Sequence, residues 1–431
     1  MRIGLAGAGR IGARHAAALR ELPGIEALIV ADVDPERARD LAARLAPVHP
    51  PAQTPAFAAG IADRPADRPA ASPADRPANG PAVGMANGPA TGPAGGSAGG
   101  MVRGPVHGPA EGPASGRASG TAGSLAPVSA AESVDALFGA GLDGVVIAAA
   151  TNAHAELVGR AIDAGISVFC EKPLASDVDG TFQTVCRAAA AGIAVQVGFQ
   201  RRFDVGYQAA REAVQSGRLG WLHTVRSCSF DPSPPPPGYV PTSGGLFRDC
   251  VIHDLDSIRY VTGREVVRVM AMGGNKGDEI FRECGDVDTG TALLTLDDGT
   301  LCTASATRYN AAGYDVRLEV FGSKDSLVAG LDDRTPISAV PERSALDPRN
   351  TPYLSRGDEP PYPPRNPPYS GFLERFAAAY DAELRAFVDM LAGHRANPCP
   401  PEEALEACYL AEACELSKVE GRVVELEEVR R

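Results

Sequence analysis

The sequence predicts an α/β protein in which an N-terminal Rossmann domain, with a doubly wound parallel sheet, is joined to a C-terminal α/β domain with a large, mostly antiparallel open sheet. Two observations predict this class. Strand and helix patterns alternate in the first part of the chain, as in parallel βαβ units. Period-two apolar segments separated by Asp-Asp-Gly or Gly-Ser turns fill much of the second part. We assign residues 1–46 and 128–199 to the first domain and 200–431 to the second.

The N-terminus indicates a dinucleotide site. An apolar run at residues 2–6 is followed by Gly7, Gly9 and Gly12, and then by an alanine-rich helical stretch from Ala13. In this spacing the first glycine permits a tight turn, the second lets a pyrophosphate approach the backbone, and the third lets helix and strand pack closely. The helix N-terminus favours the phosphate charge. A glycine-rich turn without function is the alternative, but the flanking strand and helix argue against it.

Asp32 indicates which dinucleotide is bound. It ends a second apolar strand, residues 27–31, and stands twenty positions after Gly12. An acid at this distance hydrogen-bonds the ribose diol of NAD, and no arginine follows immediately to accept the 2′-phosphate of NADP. The sequence therefore favours NAD.

Residues 47–127 interrupt this pattern. Ala, Gly, Pro and Ser dominate there, and Ala-Asp-Arg-Pro-Ala recurs at 62–66, 66–70 and 74–78. Such a segment has too few large apolar side chains to offset the entropy of ordering, so we expect a disordered insertion. Repeat slippage in the coding DNA is the simpler origin, and a docking or assembly segment is the alternative.

Strand and helix alternate again after the insertion. Helices are predicted at 134–138, 155–164 and 178–191, with strands at 144–149, 167–170 and 194–199. In the second domain, helices are predicted at 205–216, 248–262, 373–391 and 402–419, with strands at 222–230, 266–272, 289–296, 301–308, 315–321 and 326–329. A proline-rich stretch, 331–370, is predicted to be a long loop.

Composition limits the possible partners and compartments. The net charge of −13 argues against nucleic acid or an anionic membrane as partner. Nine scattered cysteines without a Cys-x-x-Cys pair argue against a disulfide framework or a metal site and favour a reducing compartment. Neither a signal peptide nor an apolar run of membrane-spanning length is found. We therefore expect a cytoplasmic protein.

Lys172 is the first candidate for catalysis. It stands in Glu171-Lys172-Pro173, directly after a predicted strand, in a chain with only four lysines against thirty-seven arginines. Ligands of doubly wound sheets bind beyond the carboxyl ends of the strands. We therefore expect Lys172 to reach both a nicotinamide ribose and a substrate hydroxyl. A surface lysine beside a chance proline is the alternative.

Asp249 and His253 form the second candidate group. They are four residues apart in the predicted helix 248–262, which places them on one face, where the carboxylate would orient the imidazole. Histidine suits the removal of a hydroxyl proton, and Lys172 would favour the developing alkoxide charge. A helix-entry acid and a core histidine are the alternatives. Asp256 extends the same helix and is either a hydroxyl-binding acid or a solvated one.

These motifs resemble those of the Gfo/Idh/MocA oxidoreductases, and within that family the inositol 2-dehydrogenases. The resemblance covers nearly everything outside the insertion. The family motifs are Gly7–Gly12, Glu171-Lys172-Pro173-Leu174, Gln200-Arg201-Arg202-Phe203-Asp204 and the run from Asp249 to Asp256. The motifs closer to inositol dehydrogenases are Asp231-Pro232-Ser233 with its proline run, the run from Ser243 to Asp249, Gly313-Tyr314-Asp315 and the run from Phe372 to Phe376.

The resemblance implies a site and an activity. Lys172, Asp249 and His253 would be the catalytic residues, and NAD the cofactor. The other implied cofactor contacts are Gly7, Gly9, Arg10, Ile11, Gly12, Asp32 and Glu171, with Lys172 shared between cofactor and substrate. The implied substrate contacts are Lys172, Asp231, Asp249, His253, Asp256 and Tyr314.

The resemblance also implies a substrate class and an assembly. The substrate would be a cyclic polyol, foremost myo-inositol oxidised to 2-keto-inositol, and the second domain would mediate a homotetramer or dimer. Two departures from the family pattern, Ala312 and Ala149-Ala150, affect the polyol pocket and the packing near the nicotinamide. Dehydrogenation of another inositol isomer, a sugar or an aminocyclitol precursor is one alternative. A non-catalytic protein that senses dinucleotide is another.

Overall fold

The computed structural model describes residues 1–46, 125–337 and 366–430. The predicted insertion therefore lies outside the described residues except at its end, and so does most of the predicted loop 331–370. At that end, the Ala126 amide donates to the Arg20 carbonyl and the Pro127 carbonyl accepts from Leu28. Residues 126 and 127 are thus hydrogen-bonded to the first domain and not part of the insertion. Within the described ranges, none of the helices has both the length and the apolar character needed to cross a membrane.

The first sheet is parallel and doubly wound, as predicted. Its six strands lie in the order β3-β2-β1-β4-β5-β6, with helices connecting them. The strands are β1 (Arg2–Ala6), β2 (Ala27–Ala31), β3 (Val128–Ala130), β4 (Gly144–Ile147), β5 (Ser167–Glu171) and β6 (Val195–Gly198). The helices are α1 (Arg10–Leu19), α2 (Pro35–Leu45), α3 (Val134–Phe138), α4 (Thr151–Asp163) and α5 (Val178–Ala191).

Local sequence explains these elements. The strands β1 and β4 are almost fully buried, because helices cover both faces of a parallel sheet. At α2, Pro35 occupies the first turn and the Asp34 side chain accepts from the Glu36 amide, which is a favourable helix start. Helix α5 ends at Gly192 in the left-handed conformation that glycine adopts without strain. The sheet order places the ends of β1, β4 and β5 side by side.

The second sheet has seven strands in the order β12-β11-β7-β10-β9-β8-β13. All its pairs are antiparallel except β7 with β10. The strands are β7 (Leu222–Phe230), β8 (Val266–Gly274), β9 (Thr289–Leu296), β10 (Leu301–Thr307), β11 (Asp315–Gly322), β12 (Ser326–Ala329) and β13 (Val424–Glu425). One face is buried and the other is exposed, as the alternating burial along β9 illustrates. The prediction of a large, mostly antiparallel sheet is thus confirmed.

Three helices pack against the second sheet, and another packs against the first domain. The helices after β6 are α6 (Val205–Gln215), α7 (Ile252–Thr262), α8 (Ile280–Glu283), α9 (Phe372–Arg375), α10 (Ala377–Leu391) and α11 (Pro401–Glu420). Helices α6, α7 and α11 contact the second sheet, whereas α10 contacts α1 and β5. Helix α7 packs against β7, β10 and α11. A π-helical turn, Phe247–Val251, leads directly into α7, where the sequence predicts a continuous α-helix. A 3-10 turn, Gln200–Phe203, follows β6.

Asp256 belongs to a buried ion-pair network, which corrects its predicted role as a substrate contact. Both of its carboxylate oxygens accept from the Arg202 guanidinium at 2.5–3.1 Å, and only 1% of its side chain is exposed. Arg202 also contacts Glu403, which in turn pairs with Arg259. Three residues along an α-helix amount to a rotation of about 300°. That leaves the side chains of His253 and Asp256 only about 60° apart around the helix, so what removes Asp256 from the substrate is the Arg202 guanidinium of the 3-10 turn, which binds both of its oxygens.

We expect Asp256→Asn to destabilise the protein without a specific effect on substrate affinity. The change would leave the buried Arg202 guanidinium partly uncompensated, which typically costs about 3–5 kcal/mol. The midpoint of urea unfolding measures this cost. The control Glu279→Gln removes an exposed acid that pairs with Arg282 at the surface, and should change stability by less than about 1 kcal/mol. Normal stability combined with a raised polyol KM would return Asp256 to the substrate site.

Candidate active site

The turn between β1 and α1 has the form of a pyrophosphate cradle. Gly7 has a φ of 109°, and a Cβ there would lie 2.5 Å from the Ala148 carbonyl oxygen. At Gly12, a Cβ would lie 1.9 Å from the Gly7 carbonyl oxygen, so the helix can approach the strand only with glycine. A Cβ at Gly9 would meet no atom within 4 Å. The backbone at Gly9 therefore borders open space at the start of α1, where a phosphate fits.

The other predicted cofactor residues surround this turn. The Asp32 carboxylate accepts from the Ala8 amide at 2.7 Å and the Asp34 amide at 2.9 Å, which fixes it at the end of β2 beside the glycine turn. Its remaining lone pairs can accept from a ribose diol. Ile11 is partly buried in the first turn of α1. Arg10 is exposed, with its guanidinium 5.1 Å from the centre of the Phe372 ring.

Lys172 follows β5 and links the two sheets. Its ammonium donates to the Asp249 carbonyl at 2.8 Å and lies 3.3 Å from the Asp249 carboxylate. The preceding Glu171 turns the other way, and its carboxylate accepts from His15 of α1 at 2.6 Å. The structure thus brings Lys172 to Asp249, two residues that lie seventy-seven positions apart in the sequence.

The π turn changes the predicted relation between Asp249 and His253. In a π turn the backbone hydrogen bonds run from i to i+5, so residues four apart do not stack as they would in an α-helix. Among the described residues, the Asp249 carboxylate is bound by Lys172, by Tyr239 at 3.0 Å and by Arg308 at 2.7 Å, and not by His253. The expectation that this carboxylate orients the imidazole is therefore wrong.

Asp249 is ionised despite its surroundings. Only 14% of its side chain is exposed, and burial alone would raise the pKa of this carboxyl. The positive charges of Lys172 and Arg308 outweigh that effect and hold the pKa of Asp249 below its ordinary value. The carboxylate is therefore a fixed negative charge that holds the Lys172 ammonium at the end of β5 in the first sheet.

Arg308 is a residue of the site that the sequence alone does not predict. It bridges Asp249 and Asp231, at 2.7 and 3.2 Å, and also contacts the Cys250 sulfur. The reason lies in the one parallel strand pair. Phe230 of β7 is opposite Thr307 of β10, so the next residues, Asp231 and Arg308, emerge side by side. One arginine among thirty-seven carries no signal by itself, and the only local signal is that Arg308 is the last residue of the predicted strand 301–308.

Asp231 and Tyr314, both predicted substrate contacts, lie at this same edge. Asp315 of β11 is opposite Phe230, so Tyr314 immediately precedes the strand next to Asp231. Burial raises the pKa of Asp231, and the Arg308 charge offsets this only in part. Burial also raises the pKa of Tyr314, so that its hydroxyl stays protonated and can donate. The structure therefore groups Asp231, Tyr314 and Asp249 around the end of β7.

His253 lies in the first turn of α7. Its ring meets Phe199 edge to face with the centres 5.9 Å apart, and its Nδ1 atom is buried without a hydrogen-bond partner among the described residues. Burial, and then the charges of Lys172 and Arg201, hold the pKa of His253 well below its usual value. The imidazole is therefore neutral at neutral pH, which is the form that accepts a proton.

Together these groups can activate a hydroxyl beside a dinucleotide. A neutral imidazole, an ammonium and an ionised carboxylate lie beyond the carboxyl ends of the first sheet, where ligands of this fold bind. The glycine cradle and Asp32 fit the pyrophosphate and ribose of NAD. When bound, NAD supplies the hydride acceptor, and the residues described here supply binding and proton transfer.

Comparisons with known proteins agree with this geometry. Residues 115–199 match the model described as oxidoreductase family, NAD-binding Rossmann fold, and residues 207–328 match the GFO/IDH/MocA C-terminal domain. A myo-inositol dehydrogenase of Streptomyces leeuwenhoekii, Hyg17, is 38% identical over 300 residues, which is 69% of this chain and 85% of that protein. A myo-inositol 2-dehydrogenase of Thermotoga maritima is 35% identical over 67% of this chain and 81% of its own length.

A solved structure has the same architecture. The putative myo-inositol dehydrogenase of Sinorhizobium meliloti superposes with a TM-score of 0.71 at 26% sequence identity, covering 99% of both chains. The predicted family, the predicted fold class and the prediction of NAD as cofactor are thereby confirmed. The chain belongs to the GFO/IDH/MocA family of oxidoreductases, and its Rossmann domain binds NAD.

Proposed function

We propose that this enzyme oxidises a secondary hydroxyl of a cyclic polyol, foremost myo-inositol, to the 2-keto-inositol scyllo-inosose with NAD as hydride acceptor and His253 as general base. The observation that carries the proposal is the grouping of Lys172, Asp249 and a neutral His253 next to the dinucleotide cradle. The similarity to proteins named as myo-inositol dehydrogenases supports the choice of substrate class. A rise in NADH absorbance with myo-inositol, in a panel of inositols and sugars, tests it.

Each residue has a separate task in this mechanism. His253 accepts the hydroxyl proton, because its low pKa keeps the ring neutral. Lys172 donates to the same oxygen and stabilises the negative charge that develops on it. Asp249 and Arg308 do not transfer the proton. They hold Lys172 in place, since the carboxylate binds the ammonium and the guanidinium fixes the carboxylate.

The charges at the site favour an uncharged substrate. The cations Lys172 and Arg308 are paired with the carboxylates of Asp249 and Asp231, at 2.7–3.3 Å. Neither cation is left over to neutralise a phosphate or carboxylate on the substrate. A polyol, by contrast, can donate its hydroxyls to the acids and accept from the donors, as a site of this kind requires.

Two alternatives remain distinguishable by experiment. If the true substrate is another inositol isomer, a sugar or an aminocyclitol precursor, that compound will show the highest kcat/KM in the substrate panel. Ala312 is the position at which the polyol pocket departs from the pattern of the inositol dehydrogenases. A non-catalytic dinucleotide sensor would bind NAD, but no compound of the substrate panel would cause the bound NAD to be reduced. Membership in an oxidoreductase family and the intact Lys172 and His253 support the catalytic proposal.

We also propose a compartment and an assembly. All nine cysteines lie in the described residues and are free, which fits the reducing cytoplasm. The outer face of the second sheet exposes large apolar side chains, including Met272, Leu293 and Leu301. An open sheet face of this kind is suited to pairing between copies of the chain, as a homotetramer or dimer.

Replacing His253 by alanine should remove the proton acceptor. We expect kcat to fall by about two to four orders of magnitude, the usual contribution of general base catalysis, while NAD still binds. Steady-state kinetics with the best polyol and calorimetric titration with NAD measure the two quantities. His223→Ala, at an exposed position of β7, is the matched control and should keep full activity. Near-normal turnover of His253→Ala would contradict the assignment.

The acid limb of the pH profile should lie below the usual histidine range. The pKa of His253 is lowered, so the ring remains a base when the pH falls through its ordinary value of 6.5, and kcat/KM should begin to fall only at lower pH. Lys172→Met removes a positive charge, so the pKa of His253 should rise and the limb of the residual activity should move to higher pH. Lys324→Met, exposed elsewhere, should not move it. An unmoved limb in Lys172→Met would count against His253 as the titrating base.

Asp32 should determine the preference for NAD. We expect Asp32→Ala to narrow the ratio of kcat/KM values for NAD and NADP by about ten- to hundredfold, because hydrogen bonds to a charged group contribute about 1.5–3 kcal/mol and a 2′-phosphate would no longer be repelled. Initial rates with each cofactor give the ratio. Asp40→Ala, an exposed acid on α2, is the control. A wild-type enzyme that uses both cofactors equally would refute this role.

A further inference from the structure

A second titratable cluster lies on the other side of Glu171, outside the machinery described above. Glu383 of α10 has no exposed surface, and both of its carboxylate oxygens lack a hydrogen-bond partner among the described residues. Burying an ionised carboxylate without a partner has a high free-energy cost, so Glu383 must either keep a proton or share its site with a cation.

Three elements converge on this acid. One nitrogen of His15, from α1, one oxygen of Glu171, at the end of β5, and one oxygen of Glu383 all lie within 4.8 Å of one another. The His15 Nε2 to Glu171 Oε1 distance is 2.6 Å, and His15 is fully buried. Gln196 of β6 donates to the Glu383 carbonyl at 2.9 Å and leaves its own Oε1 without a partner.

The charges around the cluster do not balance two carboxylates. Glu171 and Arg14 act on Glu383, and Glu171, Glu383, Tyr314 and Arg201 act on its neighbour Tyr380, while His15 lies beside both. Arg14, whose charge lowers the pKa of Glu383, is already paired with Asp381 at 2.7 Å. Burial, and then the nearby Glu171 charge, raise the pKa of Glu383 well above its ordinary value. Two neighbouring buried carboxyls cannot both be ionised, so one retains a proton.

A bound metal ion is the competing explanation for one imidazole and two carboxylates. Ligand atoms about 2.1 Å from the same metal and at right angles lie about 3.0 Å apart. The His15–Glu171 distance of 2.6 Å is shorter and is that of a hydrogen bond. In this arrangement the Nε2 lone pair is not available to a metal. The observations therefore favour a proton over a cation.

We propose that His15, Glu171 and Glu383 form a proton-holding triad in which Glu383 stays a neutral carboxylic acid, and that the triad positions Lys172. The 2.6 Å contact with His15 ties Glu171 to helix α1, a Glu383 oxygen from α10 lies within 4.8 Å of that pair, and Glu171 directly precedes Lys172 at the end of β5. The ammonium of Lys172 must lie within hydrogen-bond distance of Asp249 and of the substrate. Glu383 is thus a positioning residue that acts through Glu171. This inference rests on the proposed function only in its effect on turnover.

Two substitutions at Glu383 separate a neutral acid from an ionised one. Glu383→Gln keeps the shape and a hydrogen-bond donor but cannot be charged, so it should keep kcat within about twofold. Glu383→Ala leaves a cavity beside His15 and Glu171, so Glu171 can shift, and kcat should fall by about ten- to hundredfold, as expected from a displacement of about 1 Å, with the affinity for NAD nearly unchanged. Asp389→Asn, a partly exposed acid on the same helix, should leave kcat unchanged. A loss of activity in Glu383→Gln as large as that in Glu383→Ala would overturn the proposal.

A spectroscopic measurement tests the triad independently of any substrate. The infrared difference spectrum of wild type minus Glu383→Gln should contain the carbonyl stretch of a protonated carboxylic acid at neutral and mildly alkaline pH. A carboxylate band in its place would show that Glu383 is ionised and would overturn the proposal. So would a stoichiometric metal in the purified enzyme whose removal by a chelator abolishes activity. If no polyol is oxidised, the proposed function fails, while this spectrum still decides the state of Glu383.

Discussion

A nearly buried carboxylate that must remain charged is the constraint on which the active site depends. Asp249 meets it through two cations that come from different sheets, Lys172 after β5 and Arg308 after β10. Removing either cation would leave the carboxylate with one cationic partner instead of two, which is costly in a site of low polarity. The same ion pairs of Asp249 therefore join the two sheets and position Lys172 in the candidate active site.

The sequence was sufficient where structure follows from local pattern. The glycine turn, the acid after β2 and the alternation of strands and helices are encoded within short windows, and α5, β7, β9 and β12 have the predicted bounds. The short edge strand β3 was missed, because its three residues are too few for a periodic signal. The strands, helices and glycine turn of the Rossmann side could thus be predicted almost completely, apart from β3.

The substrate side could be predicted only in part, since it depends on which strands become neighbours. Nothing local to Asp231 or Arg308 indicates that β7 and β10 lie side by side. The turn at 247–251 has an ordinary helical pattern, so its π geometry, and with it the separation of Asp249 from His253, had no signal. Asp256 was misassigned because helical spacing says which residues share a face and not what that face meets.

The single parallel strand pair has a consequence for how this enzyme can diversify. Because β7 and β10 run in the same direction, the chain must leave the middle of the sheet after Phe230 and return at its far side in β8. That one excursion, residues 231–265, contains Tyr239, Asp249 and His253. Recombination or loop exchange within it can exchange these side chains of the candidate site, while the strands on which it rests keep their partners. Divergence in substrate preference thus requires remodelling of one connection and no new fold.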